Sequence, residues 1–310
     1  MIASGNFDNL VSLVGRRSPL QKKKLDAYLA RQDSQFMREA EDFATRYGGF
    51  LQSQGISLEQ SVDAYLKLCN TILRCQIDFI RTGRYPIANA ATAAAEVYSD
   101  AKQMLPYMVG LAISQYLWET HRAIFEFFTL EIRRRRGQVR TYLEIGPGHG
   151  LFLDRALSEL GHGAAATAVD ISPTSIDITR AIMEFFRPNA ANVTYRTGDI
   201  MMLDMPERFD FITMGEVLEH VDAPGRLLKK VGALMAPGGG AFVSTCANCP
   251  AIDHVYQFNS VDEIRALITG NGLRIERDLA LPAEKMPMDE VIKRRITVNY
   301  CAMVTSHESH

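Results

Sequence analysis

The sequence predicts an α/β protein: a mainly parallel sheet flanked by helices, preceded by an all-helical region. Three observations carry this. From about Gln138 onward, apolar runs alternate with helical patterns, the rhythm of parallel strands joined by crossover helices. At the head of that alternation an apolar run, Val139 to Ile145, leads into Gly146-Pro147-Gly148-His149-Gly150, and a helical pattern starts at Leu151. Before residue 138, apolar positions recur at spacings of three and four, which is the period of packed helices.

Length and composition set the outer limits. A chain of 310 residues makes one large domain or two modest ones. With 47% hydrophobic and 23% charged residues it can build a proper core. A net charge of −2 gives no general electrostatic grip on nucleic acid. Five cysteines, with no basic head and apolar run at the N-terminus, fit a reducing cytoplasm. The most apolar helical stretch, Tyr107 to Trp118, is too short to span a bilayer. The expectation is a soluble cytoplasmic protein, with no nucleic-acid or membrane partner.

The helical region is expected to cover residues 1–137. Residues 1 to about 17 read as frayed. Ser18-Pro19 reads as an N-cap followed by proline at the first helical position. Helical spacing then runs to about Gln54, with a break near Gln32 to Ser34, and Gly55 ends it. Ser57 and Gln60 form a capping box for a helix reaching about Arg81. An alanine-rich helix is expected from Ala90 to Met104. One long helix should follow from Pro106 to Arg136, apolar on two faces, with Gln115, Glu119, Arg122 and Glu126 as its solvent stripe. Such a helix belongs between the other helices and the sheet. A homodimer is expected to pair through this helical region.

The second region, 138–310, should place strands at about 140–146, 164–170, 192–197, 209–215 and 240–246. Ser260 to Gly270 reads as a helix, and Leu273 to Leu281 and Ile296 to Thr305 as strands. Only a charged connection, Glu284 to Arg295, separates those last two.

The glycine turn at 146–150 is where the chemistry is expected. Glycines let the backbone turn sharply and let a ligand approach, and the following helix N-terminus supplies N–H groups. A dinucleotide site spaces its glycines Gly-x-Gly-x-x-Gly. Here the third glycine comes one residue early, and the acidic Glu144 sits on the strand. A carboxylate at that point repels a pyrophosphate and suits a ligand carrying an ammonium. The Glu144-x-Gly146-x-Gly148-x-Gly150 arrangement resembles motif I of the class I S-adenosylmethionine (SAM) methyltransferases. Four later segments resemble the same family: Asp170-Ile171 after the second strand, Gly198-Asp199-Ile200 after the third, Gly215-Glu216-Val217-Leu218-Glu219-His220 after the fourth, and Pro237-Gly238-Gly239 before the fifth.

The resemblance covers residues 138–305 and implies a Rossmann-like, seven-stranded sheet whose last strand is antiparallel, preceded by a helical lid. It also implies SAM as cofactor, held by Glu144, Gly146, Gly148, Gly150, Asp170 with Ile171, Asp199 with Ile200, and Gly215 with Glu216. Asp170 would take the ribose hydroxyls and Asp199 the adenine. Candidate catalytic residues are His254, beside Asp253 in the loop after the fifth strand, Glu216 after the fourth, and Tyr116 and His121 on the long helix. Cys246-x-x-Cys249 lacks a second ligand pair and reads as packing or loop, so no metal is expected. The Asn-Pro-Pro-aromatic signature of amino-methylating nucleic-acid enzymes is absent. Methyl transfer to a small or carrier-bound acceptor in secondary metabolism is therefore the leading expectation. The helical lid resembles those of natural-product methyltransferases, among them the azetidine-2-carboxylate synthases. Two alternatives follow: cyclisation of SAM to azetidine-2-carboxylate and methylthioadenosine, and SAM binding without turnover.

Overall fold

The computed structural model describes residues 5–87, 89–93, 101–161, 163–188 and 192–306. Its frame is a seven-stranded sheet of β1 (Thr141–Ile145), β2 (Ala165–Asp170), β3 (Val193–Thr197), β4 (Phe209–Gly215), β5 (Met235–Ala247), β6 (Leu273–Pro282) and β7 (Val298–Ser306). The spatial order is β3-β2-β1-β4-β5-β7-β6. Strands β1 to β5 are parallel, while β7 runs antiparallel between β5 and β6. This is the Rossmann-like, seven-stranded sheet with an antiparallel last strand that the resemblance implied. Because β1 lies between β2 and β4, the chain reverses its winding direction there. The carboxyl ends of those three strands therefore emerge side by side, where open α/β sheets bind ligands.

Strand β1 is buried on both faces from Tyr142 to Ile145, as a central parallel strand must be. The crossover helices are α8 (Leu151–Leu160), α9 (Pro173–Phe186), α10 (Pro224–Leu234) and α11 (Val261–Gly270). One face of the sheet packs Ile145, Val169 and Met214 against Leu228, Val231 and Ile264. The other packs Tyr142, Phe211 and Phe242 against Phe128 and Leu153. The charged β6–β7 connection is more ordered than its sequence suggested: Met288–Lys293 forms a short helix, anchored by the buried Val291.

The helical region contains α1 (Asn6–Arg17), α2 (Pro19–Leu29), α3 (Ser34–Ser53), α4 (Leu58–Thr82), α5 (Ala90–Ala93), α6 (Ala101–Leu117) and α7 (Glu119–Arg134). The Ser18 cap and the Ser57–Gln60 capping box form as expected, and at the expected break the Asp33 side chain caps α3. Three expectations need correcting. Residues 6–17 are a helix rather than frayed chain, and they bury Phe7, Leu10, Leu13 and Val14. Its first donors are satisfied from α3, where the Glu41 carboxylate accepts from Asn6 N at 2.8 Å and Phe7 N at 2.9 Å. A cap supplied 34 residues away leaves no local sequence signal.

The expected long helix is two. Pro106 lies inside α6, and the chain becomes extended at Trp118 (φ −113°, ψ 125°) before α7 begins. There the indole Nε1 donates to Tyr65 Oη of α4 at 2.8 Å. The expected solvent stripe is also partly internal. Gln115 and Arg122 are buried, and the Arg122 guanidinium pairs with Glu39 at 2.8 Å and Glu126 at 2.7 Å over the rings of Phe36 and Tyr116. Residues 94–100 of the alanine-rich segment lie outside the described residues. Helix α7 is sandwiched as expected: Phe128 packs its ring 4.9 Å from Phe152 and 5.2 Å from Phe242. Burying a phenylalanine fully is worth roughly 1.5–3 kcal/mol, which ties the helical layer to the sheet.

Candidate functional site

A cavity of about 1750 Å³ opens over the carboxyl ends of the central strands and continues upward between α4, α6 and α7. Its floor includes Glu144, Gly146, Gly148, Asp170, Asp199 and Gly215, and its roof includes Leu66, Leu73, Met108, Leu111 and Trp118. Polar groups thus line one end and apolar side chains the other.

The glycine turn shapes the polar end. Gly146 has φ +69°, and a Cβ there would come within 2.8 Å of Val217 Cγ2. Only glycine satisfies both limits. Gly146 and Gly148 border the cavity. Gly150, expected among the ligand contacts, does not line it. It is the N-cap of α8, in a left-handed conformation, and faces Thr179 and Ile182 of α9. Its task is to start the helix. Glu144 lies beneath the turn with its carboxylate buried, accepting from Tyr142 Oη at 2.6 Å. Burial pushes its pKa up to about 8, with the Tyr142 hydrogen bond opposing.

Asp170 closes β2. Its carboxylate accepts from Ser172 N at 2.8 Å and Ser175 Oγ at 2.6 Å, so it is held rigidly at the cavity wall. Burial raises its pKa. Ser172, rather than Asp170, caps α9. Ile171 projects outward, 59% exposed, where it presents an apolar surface to a ligand. Asp199 turns its carboxylate to Met201 N at 2.9 Å, while Ile200 is buried beside it; both line the cavity.

At the end of β4, Glu216 adopts a left-handed backbone (φ +52°), and Ser244 Oγ donates to its carboxylate at 2.7 Å. Glu219, three residues on, is buried and accepts from Thr245 Oγ1 at 2.7 Å. Burial, with the nearby Glu216 charge, drives its pKa well up. His254 does reach the cavity, but its electrostatics are those of a cation. Burial pulls its pKa down, yet the Cys249 thiol, Glu219 and Asp253 outweigh that and lift it to about 10. With no metal bound, a histidine that holds its proton this firmly is not poised as the base that the sequence suggested. The same cluster pulls Cys249 down to about 6, chiefly through its hydrogen bond with Cys246. Sequence spacing gave Cys246 and Cys249 no third ligand. Folding supplies one: one donor atom each from Cys246, Cys249 and His254 lie within 4.8 Å of one another.

His121 lines the roof. Its Nδ1 lies 2.8 Å from Ser114 Oγ, whose hydroxyl donates to the Leu111 carbonyl at 2.7 Å. The hydroxyl proton is therefore committed, and the imidazole must donate through Nδ1 and carry its lone pair on Nε2. Burial, helped by the nearby His149, lowers the His121 pKa to about 4, so the ring is neutral near pH 7. Tyr116, the remaining catalytic candidate, faces away from the cavity. Its ring stacks on Phe43 at 4.3 Å inside the helical core, on the face of α6 opposite the roof. His149 was passed over as a spacer in the glycine turn, yet it lines the cavity. Leu151 N donates to its Nδ1 at 3.2 Å, and burial lowers its pKa to about 4. A histidine between the second and third glycines was the signal.

Against this geometry stand the similarities. Residues 117–280 match the protein family described as "Methyltransferase domain". The ubiquinone biosynthesis O-methyltransferase of Coxiella burnetii is 33% identical over 186 residues, spanning 54% of this chain and 76% of that protein. Its namesake in Xanthomonas euvesicatoria is 27% identical over 181 residues, 52% of this chain and 73% of that one. Among solved structures, the mitomycin 7-O-methyltransferase MmcR superposes with a TM-score of 0.54 at 15% identity, over 81% of this chain and 70% of its own. The N-methyltransferase NodS of Bradyrhizobium japonicum, solved with S-adenosyl-L-homocysteine, gives 0.50 at 16% identity, over 71% and 100%. Among the described residues, no helix is long and apolar enough to cross a membrane.

Proposed function

This chain belongs to the family of SAM-dependent methyltransferases, and from that premise we propose that it methylates a hydroxyl on a small, largely apolar acceptor. The observation that carries the proposal is the cavity itself. At about 1750 Å³ it exceeds the roughly 300–1,000 Å³ of a usual single-ligand pocket, and its excess is the apolar roof of α4 and α6. That supports a second substrate beside SAM. Cyclisation of SAM needs a closed pocket and no acceptor space, so the same observation argues against it.

The residues at the polar end fit SAM. Gly146 holds the left-handed turn that Val217 denies to any residue with a Cβ, Glu144 offers a carboxyl to an ammonium, and Asp170 presents a fixed carboxylate at the tip of β2. Bound there, SAM supplies a methyl group made electrophilic by its sulfonium. The chain's own work is to orient the acceptor and take up its proton. Orientation can be worth ~7–11 kcal/mol and a base ~10²–10⁴-fold. His121 is the acceptor for that proton, at Nε2, because its tautomer is fixed and it is neutral. The apolar roof excludes water and selects an apolar acceptor.

Relatives named for O-methylation in ubiquinone biosynthesis favour a ring hydroxyl of quinone-precursor type. An acceptor from secondary metabolism is the other form of the same reading. Incubation with SAM and a panel of phenols, catechols and apolar natural-product alcohols separates them. A mass gain of one methyl with stoichiometric S-adenosylhomocysteine supports transfer. Methylthioadenosine formed from SAM alone would overturn it.

A further inference from the structure

We propose that Cys246, Cys249 and His254 form a zinc site whose open fourth position faces the cavity. Cys246 is the penultimate residue of β5. Asn248 then takes a left-handed conformation (φ +49°) that turns the chain immediately beyond the strand. That costly turn is pinned on three sides. Asn248 N donates to Phe258 O at 2.9 Å, its side chain to Asn259 O at 3.1 Å, and its carbonyl accepts from Thr297 Oγ1 at 2.9 Å. Strain held by so many contacts marks a site whose geometry matters. The turn puts Cys249 alongside Cys246, and Tyr85 Oη accepts from Cys249 N at 2.8 Å.

His254 returns to the same place because Glu219 O accepts from Val255 N at 2.8 Å and Tyr256 N at 3.0 Å. Its Nδ1 lies 2.6 Å from Cys249 O, the backbone contact that orients metal-binding histidines. The His220 ring meets it edge-on at 4.8 Å. One donor atom from each of the three residues then falls within 4.8 Å of the others. A tetrahedral zinc with Zn–S near ~2.3 Å and Zn–N near ~2.0 Å needs donors roughly 3.4–3.8 Å apart, a small contraction from this arrangement. Two thiolates favour zinc over magnesium or calcium, which prefer oxygen.

Three protein ligands with one position left is the pattern of catalytic rather than structural zinc. Cys249 and His254 both line the cavity, so that position opens toward the acceptor space. A zinc held at this site would lower the pKa of a hydroxyl bound at its fourth position. This role rests on the methylation reading; the site itself does not.

The test uses Co²⁺ as a spectroscopic probe on the full chain after chelator treatment. One equivalent should bind with tetrahedral d–d bands and an intense thiolate-to-cobalt band, both displaced by Zn²⁺. Cys246→Ser and Cys249→Ser should each weaken that band at least twofold, with circular dichroism and SAM binding confirming their fold. X-ray absorption on the unmutated zinc protein should count two sulfur neighbours, whatever the variants do. Cobalt bound without a thiolate band, sulfur-free coordination, or no stoichiometric binding would overturn the proposal. Calorimetry with SAM on the metal-free protein reports separately on the methyltransferase site.

Discussion

Tyr142 Oη donates to Glu144 Oε2 across 2.6 Å, both side chains buried on one face of β1 directly beneath the glycine turn. With its pKa held up to about 8, Glu144 is mostly protonated at pH 7 in the free chain. An ammonium placed beside it favours the carboxylate, so the bound pKa lies below the free one. Binding SAM at pH 7 should then release a proton, and affinity should rise with pH until about 8 and level off above it. Calorimetry in two buffers of different ionisation enthalpy would show the release as a buffer-dependent heat. Glu144→Gln should abolish that dependence and weaken SAM by about 10–100-fold, the value of a hydrogen bond to a charged group. A heat independent of buffer in the unmutated chain would refute the coupling.

Asp170 is held by Ser172 N and Ser175 Oγ, so it serves both ligand and fold. Asp170→Ala should weaken SAM about 10–100-fold and lower stability by about 1–3 kcal/mol. Ser175→Ala removes one of the two supports and leaves the carboxylate. It should cost about 1 kcal/mol of stability and much less affinity. Equal affinity losses in the two variants would mean that Asp170 acts only through the loop.

Much of this was legible in the chain, and the remainder was hidden for one physical reason. Glycine spacing, the acidic residues at strand ends and the strand alternation are local features, and they gave the sheet and the position of the polar pocket. What escaped depends on distant partners. The helix break at Trp118 rests on Tyr65, 53 residues away; Arg122 is buried because Glu39, 83 residues away, pairs with it. Cys249 and His254 are near in sequence, but the orientation that joins them to Cys246 is set by Glu219, Phe258 and Thr297. Tyr116 illustrates the opposite error: it stands on an apolar helix near the site, and only packing shows that its face is turned to Phe43.

Gly146→Ala separates the two constraints on the turn. The new Cβ meets Val217 Cγ2 at 2.8 Å, and the residue must also hold φ +69°. Denaturant unfolding should show a loss of about 1–3 kcal/mol from strain of this kind. Adding Val217→Ala removes the clash and leaves the conformational penalty, so the double variant should recover only part of the loss. Full recovery would mean that the left-handed backbone costs nothing here.

His121 gives the sharpest test of the chemistry. If Nε2 takes the acceptor proton, His121→Ala should lower kcat by about 10²–10⁴-fold while SAM binds as before. The pKa of about 4 fixes the sign of the pH dependence. The base is protonated and inactive below that value, so kcat should climb through pH 4 and be flat with respect to this group at neutrality. Ser114→Ala leaves the ring in place but frees its tautomer, and should give a smaller fall in kcat with little change in KM. Steady-state kinetics of both variants on one acceptor would decide it. A His121→Ala enzyme within threefold of the parent would transfer the proton-accepting role to another group of the cavity, with His149 the first to examine.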